Sequence, residues 1–221
     1  MTESKPHPAK FSKSILDKLW HLTIDLPEGA RVLDPFAGVG LVHALSRFDT
    51  VGVEIEPEWA CAHDQTICGD SRLLDTMFDP ESFDALITSP SYGSRMADAY
   101  AGDPKGSRRV TYRIYLERPL SEGSSAGMHW TGKTGVEYRQ LHQDVWGQCY
   151  KLLKPHGKIF VNVSNHIRGG VEQDVVGWHQ SALMEAGFKI LEVHKVETPR
   201  MRMGANHEKR VPFENIIEGV K

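Results

Sequence analysis

The sequence predicts an α/β fold: one doubly wound sheet of seven strands, mostly parallel, with an antiparallel last strand. Two observations carry the prediction. Short apolar runs end at Asp34, Glu54, Asp70 and Ser89, which lie 20, 16 and 19 positions apart, the pitch of successive β-α-β units. Stretches with helical apolar spacing lie between or after these runs. The 221 residues suit one domain with one core, and 40% hydrophobic and 25% charged residues are the proportions of an ordinary globular chain.

In chain order, Ile15, Leu16, Leu19, Trp20 and Leu22 mark an amphipathic helix, with Ser14 and Asp17 as a capping box at its start. Pro27-Glu28-Gly29 breaks the chain before the first strand, Arg31–Asp34. Leu41, Val42, Leu45 and Phe48 predict a helix, Thr50–Val53 a second strand ending at Glu54, and Glu58–Gln65 another helix. A third short strand leads into Cys68-Gly69-Asp70, and Phe83–Thr88 is the fourth. Residues 93–136 lack clear periodicity and read as a long functional insertion. Leu141, Val145, Cys149, Leu152 and Leu153 restore a helical face, ending at Lys154-Pro155-His156-Gly157. Ile159–Val163, Lys189–Val196 and Val211–Gly219 complete the sheet, with a helix over Asp174–Ala186. The whole is Rossmann-like.

No apolar run approaches membrane-spanning length and the N-terminus has no apolar leader core, so a cytoplasmic protein without membrane attachment is expected. Cys61, Cys68 and Cys149 have no CxxC spacing, and Cys61, His63 and Cys68 lack a second ligand pair, so no metal is expected. The net charge of −3 is unevenly spread. Residues 1–92 hold 7 basic against 15 acidic residues, whereas residues 93–140 hold 8 against 5. Local basic character of this kind leaves a nucleic-acid partner open.

Two segments carry the chemistry. Asp34-Pro35-Phe36-Ala37-Gly38-Val39-Gly40 leaves the first strand through glycines that let backbone approach a ligand closely. Position 43, where a dinucleotide fingerprint wants a third glycine, is His43. Ser89-Pro90-Ser91-Tyr92 begins 49 residues after Gly40, at the end of the fourth strand. A rigid turn of this type offers a hydroxyl and a carbonyl as fixed acceptors beside an aromatic ring. Between positions 105 and 115, Lys105, Arg108, Arg109 and Arg113 alternate with Tyr112 and Tyr115, a pattern suited to phosphate contacts and base stacking. Arg95, Arg118, Trp130, Tyr138 and Arg139 extend it.

In their order and placement, these segments resemble the S-adenosylmethionine-dependent DNA amino-methyltransferases, which modify cytosine N4 or adenine N6, and in particular small phage-type DNA methylases. The resemblance spans nearly the whole chain, least over residues 93–136. It implies the class I methyltransferase fold and S-adenosylmethionine as cofactor. It places Asp34, Phe36, Gly38 and Gly40 around the methionine moiety, Glu54 on the ribose hydroxyls and Asp70 on the adenine amine. His7-Pro8-Ala9-Lys10-Phe11-Ser12 is similar to the arm that packs beside the cofactor, with Phe11 as the contact. Ser89 Oγ and the Pro90 carbonyl would accept from the target amine, and Tyr92 would stack on a base taken out of the duplex. Arg95, Lys105, Arg108, Arg109, Tyr112 and Arg113 would contact DNA. Asn165, His166 and Arg168 are secondary candidates in the same cleft.

No cysteine follows a proline, so the covalent route of carbon-5 cytosine enzymes does not apply, and direct transfer is implied. Ser91 departs from the family pattern, which has a second proline there. A serine in first position leans towards cytosine over adenine. RNA in place of DNA, and a non-catalytic nucleic-acid-binding relative weakened at Ser91, are the other readings.

Overall fold

The computed structural model describes residues 11–93, 116–168, 170–198 and 211–221. Seven strands form one sheet in the order β3-β2-β1-β4-β5-β9-β8. They are β1 (Arg31–Asp34), β2 (Asp49–Glu54), β3 (Thr66–Cys68), β4 (Phe83–Thr88), β5 (Leu153–Val163), β8 (Lys189–Glu197) and β9 (Phe213–Val220). The first five pair in parallel, and β9 runs antiparallel to both β5 and β8. A separate two-stranded hairpin, β6 (His166–Arg168) with β7 (Val171–Gln173), follows β5 and was not expected from the sequence.

Strand residues alternate between two apolar layers, as the period of two requires. Leu33, Leu86, Ile159 and Val161 face one layer, with α4 (Lys133–Leu152) and α5 (Val175–Glu185) packed over it. Val32, Ala85, Ile87 and Phe160 face the other, covered by α1 (Lys13–Leu22). Both faces are therefore buried, which explains why the central strands read as continuous apolar runs.

The helices depart from expectation on the cofactor side. Leu41–Ala44 is only a 3-10 turn, because Gly40 is left-handed at φ 76° and His43 is held by Thr50 and Thr66 hydroxyls at 2.8 and 2.9 Å. After β2 the helix is the single turn α2 (Pro57–Ala60), and after β3 it is α3 (Leu74–Met77). The cap of α1 is Ser12, which accepts from the Ile15 amide at 3.3 Å, and not Ser14. Lys154–Gly157, expected to end a helix, lies within β5 at a register shift against β4, with His156 left-handed at φ 64°. Residues 133–136, expected within the insertion, form the first turn of α4. Among the described residues no helix is long and apolar enough to cross a membrane.

Candidate active site

The strand order reverses between β1 and β4, so the crevice beyond their carboxyl ends is where a doubly wound sheet binds its ligand. Asp34 ends β1 and Thr88 ends β4, and the Thr88 hydroxyl donates to Asp34 Oδ1 at 2.6 Å. That same oxygen accepts the Phe36 amide at 3.0 Å. The glycine loop and the turn after β4 thus share one buried carboxyl group. Burial pushes the Asp34 pKa up to about 7 against the opposing hydrogen bonds from Thr88 and Phe36.

Glu54 is also buried, and burial raises its pKa to about 7. Its Oε2 accepts the Gly38 amide and its Oε1 the Glu56 amide, each at 2.9 Å, leaving one lone pair on each oxygen. Gly38 and Gly40 are left-handed at φ 54° and 76°, and a Cβ on Gly40 would come within 2.6 Å of His43. Phe36 turns towards α4, with ring centroids 5.1 Å from His142 and 5.9 Å from Trp146. Asp70 caps a 3-10 turn; burial pushes its pKa up, but hydrogen bonds from Arg72, at 2.9 Å from the amide and 2.5–3.0 Å from the guanidinium, outweigh that and lower it overall. Phe11 is half-buried against the α1 layer beside Leu22 and Leu26.

The turn after β4 is tied down on three sides. Ser89 Oγ lies 3.2 Å from the Tyr92 hydroxyl, which donates to Glu214 at 3.0 Å. Asn162, on β5 and 1% exposed, reaches Ser89, Tyr92 and Glu214 through one amide nitrogen at 3.3, 3.0 and 2.8 Å. The Ser91 carbonyl accepts the Tyr138 hydroxyl at 2.6 Å. Trp146 donates to His179 Nδ1 at 3.3 Å, so that nitrogen is the acceptor, and His179 Nε2 carries the proton it gives to Tyr138 Oη at 2.9 Å. His179 stays neutral, since burial lowers its pKa well below the ordinary value. The Ser91 hydroxyl donates to the Ser125 carbonyl at 2.8 Å, a bond proline could not make.

Residues 116–127 form a strap that touches the chain beyond four strand ends. Leu116, Leu120 and Ala126 pack with Trp59 of α2 and with Val39 of the glycine loop. Arg118 donates to Glu58 at 2.8 Å and to the fully buried Glu56 at 2.7 Å, and the Ser121 amide and hydroxyl both reach Glu56 at 2.9 Å. Gly123 lies against the Arg72 guanidinium, and Ser125 receives Ser91.

Of the residues selected by sequence, Asp34, Phe36, Gly38, Gly40, Glu54 and Asp70 lie beyond β1, β2 and β3, and Ser89, Pro90 and Tyr92 beyond β4. Arg95, Lys105, Arg108, Arg109, Tyr112 and Arg113 lie outside the described residues. Arg118 and Tyr138 are corrected: one is committed to Glu56 and Glu58, the other is fully buried beneath Ser91, so neither lines a nucleic-acid face. Asn165 likewise holds the α5 start, accepting the Val176 amide at 2.9 Å and donating to Glu172 at 2.8 Å. Glu56, Asn162, His179 and Glu214 went unrecognised beside these elements. Only Asn162 had a signal, its position in the polar stretch closing β5.

Cys61, His63 and Cys68 line one shallow depression of about 390 Å³, yet among the described residues no group of three His, Cys, Asp or Glu is placed to hold a metal. Cys61 and Cys68 are exposed and Cys149 is buried.

No protein-family model matches the chain, and no curated protein matches it. Solved structures do. A SAM-dependent methyltransferase from Archaeoglobus fulgidus matches with a TM-score of 0.54 and 13% identity, over 95% of each chain. The Burkholderia thailandensis 1,6-didemethyltoxoflavin-N1-methyltransferase, solved with 1,6-didemethyltoxoflavin and S-adenosylhomocysteine, matches at 0.53 and 14% identity, over 95% of this chain and 78% of its own. TrmN from Thermus thermophilus matches at 0.51 and 16% identity, over 94% of this chain, which spans only 48% of TrmN. At these identities the likeness establishes architecture: the chain has the class I methyltransferase fold.

Proposed function

We propose that this protein is an S-adenosylmethionine-dependent methyltransferase acting on the exocyclic amine of a base in DNA. The observation that carries the reading is the Ser89-Pro90-Ser91-Tyr92 turn at the end of β4, joined to the glycine loop through the 2.6 Å bond between Thr88 and Asp34. A methyl donor seated over the loop would lie beside an amine seated on the turn. The fold neighbours, several named as methyltransferases and one holding S-adenosylhomocysteine, support this choice of donor.

The chain's residues suit that cofactor. Glu54 keeps a free lone pair on each carboxylate oxygen for a vicinal diol, and Asp70 stands at the end of β3, where an adenine amine would be read. The cofactor would supply an electrophilic methyl group on a sulfonium. An exocyclic amine is a poor nucleophile because its lone pair is conjugated into the ring. Accepting its protons at Ser89 Oγ and the Pro90 carbonyl would draw the nitrogen towards a pyramidal form with the lone pair aimed at the methyl. The basic residues Arg95, Lys105, Arg108, Arg109 and Arg113, with Tyr112, would hold the strand, and Tyr92 would face the extruded base. Within this reading cytosine N4 is favoured over adenine N6 by the serine at position 89.

The test is methyl transfer from deuterated-methyl S-adenosylmethionine to unmethylated DNA and RNA in parallel, read by nucleoside mass spectrometry. Label in N4-methylcytosine or N6-methyladenine of DNA is the expected result. Label confined to RNA changes the substrate, and bound cofactor without label in either removes the nucleic-acid amine from the reading.

A further inference from the structure

Methylation of an exocyclic amine leaves a surplus proton on nitrogen, and direct transfer gives the cofactor no part in removing it. Ser89, which would hold that amine, is not an isolated hydroxyl. Its Oγ is 3.2 Å from Tyr92 Oη, and Tyr92 donates its single proton to Glu214 Oε2 at 3.0 Å. With that proton committed to Glu214, the Ser89–Tyr92 contact is made by the Ser89 proton; Asn162 donates to one Ser89 lone pair at 3.3 Å, and the other is left for the amine. Asn162 fixes the geometry: its amide nitrogen lies 2.8 Å from Glu214 and 3.0 Å from Tyr92, on a residue that is 1% exposed. Four residues from β5, β9 and the turn after β4 thus form one oriented chain that runs to the Glu214 carboxyl group.

We propose that Glu214 is the terminal proton acceptor of the reaction, reached through Ser89 and Tyr92; this rests on the amine-methylation reading above. As the amine nitrogen is methylated, its N–H proton moves to Ser89 Oγ, the Ser89 proton moves to Tyr92 Oη, and the Tyr92 proton moves to Glu214. One N–H bond is broken and one O–H bond is formed on the carboxylate. Ser89 and Tyr92 end with the hydroxyl groups they began with. Glu214 itself touches no substrate and works as a positioning residue for charge, with Tyr92 as the conducting group.

Single-turnover methyl transfer in H2O and D2O tests this with wild type, Glu214→Gln, Tyr92→Phe and the double variant. A positioned base contributes about 10²–10⁴-fold, so each single change should slow transfer by about 10²-fold or more and reduce the solvent isotope effect. Because the two groups act as one path, the double variant should be no slower than the singles. Cofactor and nucleic-acid dissociation constants should stay unchanged, which a merely structural role would not give. Wild-type rates in both singles, or losses that multiply in the double variant, overturn the relay alone. A wild-type protein that methylates no nucleic-acid amine overturns the substrate reading, and the relay with it. Should Glu214→Gln fail to fold, as seen in its melting curve, Tyr92→Phe carries the same test, since it breaks the path one link earlier.

Discussion

The two ends of the sheet are built differently. Around β1, β2 and β3 the helices shrink to a 3-10 turn and single α-turns, and the loops are held by buried carboxyl groups: Asp34, Glu54 and Glu56. Around β4 and β5 the support is α4 and α5, with the turn held from beneath by Trp146, His179 and Tyr138. One half fixes backbone by accepting its amides with charged or ionisable groups; the other does so with a neutral, fully buried aromatic stack. The first arrangement is sensitive to pH and to loss of single ions. The second is sensitive to volume.

The largest effect should come from the stack. Trp146→Ala removes a fully buried ring from the main core and should cost about 3–5 kcal/mol in urea denaturation. Trp59→Ala, from the small cluster with Leu116, should cost less; equal losses would erase the contrast.

Next is pH. Asp34 and Glu54, with ordinary values of 3.8 and 4.5, are both raised to about 7 in the folded protein, so that state keeps protons the unfolded chain has released. Their contribution to stability is complete below pH 4 and is lost as pH rises towards 7, by at most about 1.4 kcal/mol per pH unit for each group. Asp34→Asn keeps the oxygen that accepts from Thr88 and Phe36 and should flatten that slope in denaturation series between pH 4.5 and 7.5. An unchanged slope would show that Asp34 is not its source.

Arg118→Ala should cost about 2 kcal/mol, because it strips an ionic partner from the fully buried Glu56 while the arginine itself is partly solvated. Proteolysis of the strap should quicken in the same variant. Ser91→Ala should have the smallest effect, about 1 kcal/mol for one neutral hydrogen bond. Transfer activity should stay within a few-fold, since the Ser91 carbonyl remains held by Tyr138. Loss of activity in that variant would mean that the hydroxyl, and not the carbonyl, fixes the turn.

Strands were legible where alternation and burial agree. Phe83–Thr88 was placed to the residue. Helices were legible only in the half that has long ones. Leu41, Val42, Leu45 and Phe48 have helical spacing, and all but the half-buried Leu41 are buried, but a left-handed Gly40 and a pinned His43 allow only one tight turn. The site's supporting residues were hidden for a different reason. Glu214 lies 122 positions from Tyr92, His179 lies 41 from Tyr138, and Arg118 lies 62 from Glu56. No local pattern encodes such pairings, and Arg118 and Tyr138 even imitate a nucleic-acid face, because an arginine or tyrosine looks the same in sequence whether it meets solvent or a buried partner.

The strap has one more consequence. Leu116 is buried against Trp59 beyond β2, and Ser125 receives the Ser91 hydroxyl beyond β4, where the carbonyl of Gly93, left-handed at φ 60°, bonds the Trp130 amide at 3.0 Å. A short segment pinned at both places has little slack, so a change of length inside the strap would pull on both attachments at once. The loop beyond β2 and the turn beyond β4 thus share one fastening, and neither can be rebuilt without regard to the other.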